Sequence, residues 1–226
     1  MEPCCVLALE HVHLKMDLSD AFARSCNCAF ADMGLGLGGD TLKSTAEDLL
    51  FNRALPLNSY KTSRFTLDND SPNALVMQTS IGQGNTLVSP MHMALITSAI
   101  ANDGVLMKPT MIDKIVNNSG DTVRETEKTE YKRLMTRNEA NILGKLMKNV
   151  VENGTASALN GRGYTVAGKT GSAEFDENGS SHSWFVGYSN VDDPDIAIAV
   201  IVENGGTGSE AAVPIAADVF DAYYFD

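Results

Sequence analysis

The sequence is short of positive charge, of long apolar runs and of cysteine. Among its 226 residues, 17 are Lys or Arg and 29 are Asp or Glu, so the formal net charge is −12. Without a basic surplus there is little to neutralise phosphates, which argues against nucleic acid as a partner. No run of about eighteen apolar residues occurs, and residues 1–10 lack a basic start followed by an apolar stretch. The chain is therefore predicted to contain no membrane span and no signal peptide.

The four cysteines all lie within the first thirty residues, together with two histidines: Cys4, Cys5, His11, His13, Cys26 and Cys28. An adjacent pair and a C-x-C pair do not match the usual spacing of closed zinc sites, so we predict no metal. A disulfide from Cys4 or Cys5 to Cys26 in an oxidising compartment remains open, as do buried free thiols. Nothing in the sequence calls for a cofactor.

The composition is that of an ordinary soluble domain. Hydrophobic residues make up 43% and charged residues 20% of a chain long enough to bury a substantial core. We predict an α+β fold, with a helical half followed by an antiparallel sheet flanked by helices. The predicted parts are a helical part (1–110), an exposed hairpin (111–135), and a helix, sheet and closing helix (136–226).

Helix signals dominate residues 1–110. Apolar residues at helical spacing follow Asp17 and stop at Ser25, and a second helix is expected to end where glycines cluster at 34–39. Asp40 is expected to cap a third helix. Two further helices are predicted to begin at Ser-Pro pairs, residues 71–72 and 89–90. Between these, residues 52–71 are rich in Pro, Asn, Ser and Asp and predict a long surface connection.

The remainder predicts one long helix and three strands. Thr136 and Glu139 form a capping-box pattern, and the apolar spacing after them predicts a helix that ends at Gly154. Residues 164–174, 183–188 and 196–202 alternate or run apolar between turn residues, which favours neighbouring antiparallel strands. A closing helix is expected over 211–223.

The strand at 164–174 combines a cation, hydroxyls and glycines. Lys169 offers positive charge, and Thr170 and Ser172 offer hydroxyl donors, which together suit a carboxylate. Gly168 and Gly171 would let a ligand backbone approach this edge. An edge strand carrying a solvated lysine is the plain alternative for this stretch taken alone.

Several short motifs occur in an order that resembles the penicillin-recognising serine transpeptidases, and most closely the transpeptidase domain of class B penicillin-binding proteins. They are Ser25-Cys26-Asn27, Ile81-Gly82-Gln83-Gly84, Val88-Ser89-Pro90, residues 99–104, Lys108-Pro109, Lys169-Thr170-Gly171 and residues 184–188. The resemblance spans nearly the whole chain. It implies the α+β fold of penicillin-binding proteins and β-lactamases, without its first strands and its nucleophile helix.

The resemblance also implies roles for individual residues. Ser25 of the S-x-N motif would pass a proton between the family's lysine and the substrate nitrogen, and Asn27 would hydrogen-bond a substrate amide. Helix capping is their plain structural role. Lys169, Thr170 and Ser172, with Gly171 between them, would bind the terminal carboxylate of a D-Ala-D-Ala stem peptide or of a β-lactam. The backbone N–H of Ser172 would supply half of an oxyanion hole.

The family's S-x-x-K motif, which supplies the nucleophile and its lysine base, has no match here. No serine in the chain is followed by lysine three residues later. The sequence is therefore interpreted as a domain that begins after this motif, inert alone. We also expect strand 196–202 to expose an edge where a first strand would pair, and homodimerisation through that edge to cover it.

The leading interpretation is thus a D,D-transpeptidase domain fragment of peptidoglycan cross-linking. The resemblance implies a parent protein that is membrane-anchored and extracytoplasmic. A non-catalytic module that holds peptidoglycan stems or a partner protein is the alternative from another class. A β-lactamase relative is disfavoured, because Gly82-Gln83-Gly84 resembles the transpeptidases.

Overall fold

A computed structural model of the chain describes residues 16–57, 60–175 and 181–225. Helices dominate the first part: α1 (Leu18–Ala23), α2 (Asn27–Leu37), α3 (Gly39–Asp48), α4 (Asn73–Ser80) and α5 (Pro90–Ala101). The carboxylate of Asp17 accepts from the Asp20 N–H at 2.9 Å and so begins α1. Ser89 caps α5 in the same way, with Pro90 in its first turn. Both starts agree with the sequence-based prediction.

The helix α2 ends within the glycine cluster at 34–39, as predicted. The helix continues through Gly34 and Gly36 and stops at Gly38, whose φ of 80° departs from helical values. Gly34 is needed inside the helix because a Cβ there would lie 1.8 Å from the Ser80 hydroxyl of α4. Close packing of α2 on α4 therefore outweighs the poor helix propensity of glycine.

Two predicted caps were wrong in position. Gly38 is the N-cap of α3, and Asp40 lies in its first turn, where a carboxylate still favours the helix dipole. Pro72 is the N-cap of α4. The Ser71 hydroxyl instead accepts from the Asp68 N–H at 3.0 Å, so it organises the preceding turn.

The connection between α3 and α4 is irregular, as predicted, but it is not confined to the surface. Leu67 is 1% exposed and Ser63 is 3% exposed. The ring of His92 in α5 is fully buried and lies 2.7 Å from both the Ser63 hydroxyl and the Leu49 carbonyl. Burial lowers the pKa of His92, so its ring is neutral. Through these hydrogen bonds it holds the connection between α3 and α4 against α5.

The predicted hairpin is confirmed only in its first part. Strand β2 (Lys114–Val116) pairs antiparallel with β3 (Thr122–Glu125), and both are exposed. The later strand β4 (Glu130–Arg133) pairs instead with β1 (Val105–Met107), which directly follows α5. The segment after β3 therefore returns to the helical part.

The long helix α6 (Arg137–Asn153) has the predicted capping box. Glu139 N–H donates to the Thr136 hydroxyl at 3.2 Å, and Thr136 N–H donates to the Glu139 carboxylate at 2.7 Å. Gly154 is the C-cap, as predicted. A Cβ on Gly154 would lie 2.3 Å from the Ala23 carbonyl, so this glycine lets the end of α6 pack closely on α1.

The main sheet has the order β5 (Val166–Glu174), β6 (Ser181–Ser189), β7 (Ile196–Val202), and neighbours are antiparallel. A five-residue π turn (Gly208–Ala212) leads into α7 (Val213–Phe225). The core beneath the sheet includes Phe185 and Phe220, both fully buried. The fold is therefore α+β, as predicted. Within the described residues, β7 is an outer strand with one unpaired edge.

Candidate functional site

Two motifs that are far apart in sequence meet at the end of α1. The Lys169 ammonium of β5 donates to the hydroxyl of Ser25, 144 residues away, and to the Thr170 carbonyl at 2.8 Å. It also lies 5.7 Å from the centre of the Phe22 ring of α1. The S-x-N loop and the K-T-G strand therefore form one site.

Burial sets the protonation of Lys169. Removal from water disfavours the charged ammonium and lowers the pKa of Lys169 to about 8. Among the described residues, no carboxylate lies within 4.0 Å of its amine to offset this. A lysine with such a pKa exists in both protonation states near neutral pH, so it can bind an anion or exchange a proton.

The loop that carries Ser25 is held by its backbone. Ser25 has a left-handed φ of 53°, its N–H donates to the Phe22 carbonyl at 3.2 Å, and the next N–H donates to the Ala21 carbonyl at 2.9 Å. A non-glycine residue in this region carries strain, which a functional site can retain when neighbours hold the turn. Asn27 is the exposed first residue of α2.

The cysteines on either side of Asn27 are not free thiols. Cys26 and Cys28 are both disulfide-bonded. Cys4, Cys5, His11 and His13 lie outside the described residues, and with them the proposed pairing of Cys26 and the zinc alternative. Within the described residues no group of three or more His, Cys, Asp or Glu side chains is arranged to hold a metal.

The residue that follows Lys169, Thr170, is buried and already has a hydrogen-bonding neighbour. Thr170 is 8% exposed, and its hydroxyl lies 2.5 Å from that of Thr155, just beyond the C-terminus of α6. Thr155 is a site neighbour that the sequence analysis missed, since a lone threonine after a helix carries no pattern. A ligand carboxylate at Thr170 would therefore share that hydroxyl with Thr155.

The two glycines of the strand also differ. A Cβ on Gly168 would lie 2.4 Å from the Phe185 ring, so this glycine makes room for the core and not for a ligand, contrary to our expectation. Gly171 pairs with Trp184 in the register of β5 and β6, and a Cβ added to Gly171 would lie 3.3 Å from the Cβ of Trp184. Space for a ligand backbone is therefore limited to the outer end of the strand.

Ser172 lies at that outer end, exposed, and is held on two sides. Its hydroxyl accepts from the Gly208 N–H at 3.2 Å. Its carbonyl accepts from the side-chain amide of Gln83 at 3.3 Å, a residue 89 positions away. Because the N–H and C=O of one strand residue face the same side, the Ser172 N–H also faces the helical half.

The chain matches the family model for the penicillin binding protein transpeptidase domain over residues 8–221. It belongs to this family. Peptidoglycan D,D-transpeptidase PbpA of Mycolicibacterium smegmatis is 31% identical over 211 residues, which cover 88% of this chain and 42% of the relative. Penicillin-binding protein 3 of Bacillus subtilis is 32% identical over 199 residues, or 84% of this chain and 28% of the relative. The chain thus spans less than half the length of these relatives.

Solved structures agree with the class B transpeptidase assignment. The D,D-transpeptidase domain of a peptidoglycan glycosyltransferase from Eggerthella lenta superposes with a TM-score of 0.81 at 28% identity, covering 92% of this chain and 53% of that one. A penicillin G acyl-enzyme complex of penicillin-binding protein A from M. tuberculosis gives 0.79 at 28% identity, covering 92% and 48%. Penicillin-binding transpeptidases thus share the described fold, including the sheet that carries Lys169.

The described part of this transpeptidase domain contains no helix of the length and apolarity that a bilayer crossing requires.

Proposed function

We propose that this chain forms the substrate-holding side of a peptidoglycan D,D-transpeptidase site. It binds the D-Ala-D-Ala end of a stem peptide, or a β-lactam, between the Ser25–Asn27 loop and the outer edge of β5. The observation that carries this proposal is the contact of the Lys169 amine with the Ser25 hydroxyl. This contact brings the Ser25 hydroxyl, which can carry a proton, and the Lys169 cation together beside the outer edge of β5.

Each candidate residue has a role that follows from its chemistry. Protonated Lys169 attracts the terminal carboxylate, and the Thr170 hydroxyl adds a donor beside it. Ser25 passes a proton to or from the Lys169 amine. Asn27 hydrogen-bonds a substrate amide. The edge N–H of Ser172 faces the helical half and is suited to stabilise a developing oxyanion.

The same proposal assigns no acyl transfer to the 226 residues by themselves. Acyl transfer by this family's chemistry needs a serine nucleophile and a base, and no serine here has lysine three residues later. The parent protein is proposed to be membrane-anchored and extracytoplasmic, where peptidoglycan stems are found.

The test is calorimetry of the full chain with an N-acyl-D-Ala-D-Ala dipeptide and with its L-Ala-L-Ala isomer. We expect heat of binding for the D isomer only. Lys169→Met should abolish it, whereas Lys145→Met, which removes an exposed lysine of α6, should not. Equal binding of both isomers, or none, would overturn the proposal. Mass spectrometry after incubation with penicillin G should show no covalent adduct.

A further inference from the structure

The contact between Gln83 and Ser172 connects the loop after α4, in the helical half, to strand β5. Gln83 lies in the loop after α4, and α4 packs on α2, the helix that begins at Asn27. Its amide Nε2 donates to the Ser172 carbonyl on β5 at 3.3 Å. On the same strand, Lys169 contacts Ser25. Three strand residues, about 10 Å, separate the two contacts, so the helical half is joined to β5 at both ends of the site.

The backbone of the loop around Gln83 is held by its own turn, and the side chain of Gln83 reaches the strand. Gly82 and Gly84 on either side have left-handed φ values of 80° and 75°, and the Gln83 N–H donates back to the Gln78 carbonyl at 2.9 Å. Gln83 itself does not require a left-handed conformation. Its backbone is therefore fixed independently of its side chain, which can be changed without straining the turn.

The direction of the Ser172 carbonyl, which accepts from Gln83, indicates how Ser172 pairs with β6. Because the Ser172 C=O faces the helical half and not β6, Ser172 and Ser183 form a non-hydrogen-bonded pair in the β5–β6 ladder. Bonds between β5 and β6 at this end therefore come from Gly171 and Ala173, and Ser172 itself is not tied to β6. Its hydroxyl is bound by Gly208 and its carbonyl by Gln83. Without Gln83, the Ser172 carbonyl loses its hydrogen bond to the helical half, and the orientation of the Ser172 peptide edge is no longer fixed from that side.

We infer that Gln83 is a positioning residue that fixes the Ser172 peptide edge for the ligand. The inference rests on the proposed function, because it assumes that an acyl-D-Ala-D-Ala end or a β-lactam lies along this edge. Gln83 acts through Ser172: it orients the carbonyl directly, and with it the N–H that faces the same side. Ligand affinity should then depend on the donor at position 83 and not on its bulk.

The experiment compares Gln83→Ala and Gln83→Met in the full chain, with Gln78→Ala as the matched control. Met keeps the length of Gln but cannot donate, and Gln78 is an exposed glutamine of α4 whose side chain makes no polar contact in the described structure. Both Gln83 variants should bind the N-acyl-D-Ala-D-Ala dipeptide about two- to tenfold more weakly, as expected for one lost exposed hydrogen bond. Thermal midpoints should equal that of the unaltered chain, and Gln78→Ala should change neither quantity.

A second readout needs no ligand and separates the two proposals. Amide hydrogen exchange of Gly171 and Ala173 should become faster in both Gln83 variants, while Val150 in α6 keeps its rate. Faster exchange in a chain that binds no dipeptide would support the contact and overturn the proposed function. Unchanged exchange and affinity would overturn the inference. So would tighter binding by Gln83→Ala, because the amide would then compete with the ligand for the carbonyl.

Discussion

At the scale of single residues, Lys169 is where structure and chemistry are most closely joined. Its side chain is half-buried, and the amine lies beside Phe22 and donates to the Ser25 hydroxyl and the Thr170 carbonyl. The burial that lowers its pKa to about 8 also disfavours the charge that a ligand carboxylate needs. The site thus holds a cation that deprotonates just above neutral pH.

The affinity for a carboxylate ligand should therefore fall as the pH rises. Above about pH 8 the Lys169 amine loses its proton, and each further pH unit should weaken binding by up to about tenfold. Calorimetric titrations with the N-acyl-D-Ala-D-Ala dipeptide across this range measure the effect. Lys169→Arg keeps its charge throughout and should bind with a flat pH profile. An unaltered chain with constant affinity up to about pH 10 would contradict the prediction.

The stability of the fold should change in the opposite sense over the same range. Unfolded lysine keeps its proton to a pKa of about 10.4, so between about pH 8 and that value the unfolded state binds more protons. The free energy of unfolding should rise with pH there. Below about pH 8 both states are protonated and the contribution of Lys169 is constant. Lys169→Met should lack the rise in denaturant titrations.

The residues of this site were predictable to different degrees. Lys169 and Ser25 were singled out because each lies in a short motif, and the order of these motifs along the chain resembles that of the family. Gln83 was included in a motif but given no role, since its partner is a backbone carbonyl 89 residues away. The contact of Thr155 with Thr170 depends on where α6 ends against β5. Side-chain partners fixed by tertiary packing leave no local pattern to detect.

At the scale of elements, the bounds were predicted best where the apolar pattern is clear. The helix α6 and the strand β7 follow their apolar patterns to within a residue or two. The prediction was wrong for β4, because its partner is β1 and not the adjacent β3. This error comes from a long-range contact that a window of sequence cannot contain.

The two glycines inside α2 should respond to alanine in opposite directions. A Cβ on Gly36 meets nothing within 4 Å, so Gly36→Ala should stabilise the chain by about 0.5–1 kcal/mol through helix propensity. A Cβ on Gly34 would overlap Ser80, so Gly34→Ala should destabilise by about 1–3 kcal/mol through overpacking. Urea unfolding of the two variants measures the difference. Equal effects would show that α2 and α4 are not packed this closely.

At the scale of the whole molecule, one edge of β7 has no partner strand among the described residues, and this edge is the feature that needs a partner. Its seven residues, from Ile196 to Val202, carry no charge and are all half-buried. An edge of this kind invites pairing with another chain. Exposed acids flank it: Asp195 precedes the strand and Glu203 follows it. A basic residue at either end would therefore favour pairing with this strand.

We propose a homodimer in which two β7 strands pair antiparallel about Ala199, the middle residue. This register places Asp195 opposite Glu203 of the second copy at both ends, which weakens the dimer. Glu203→Lys should strengthen it about two- to tenfold in sedimentation equilibrium, because both end pairs become attractive. Glu127→Lys makes the same charge change on an exposed residue away from this edge, so it should not strengthen the dimer. A Glu203→Lys chain that stays strictly monomeric would rule out this register.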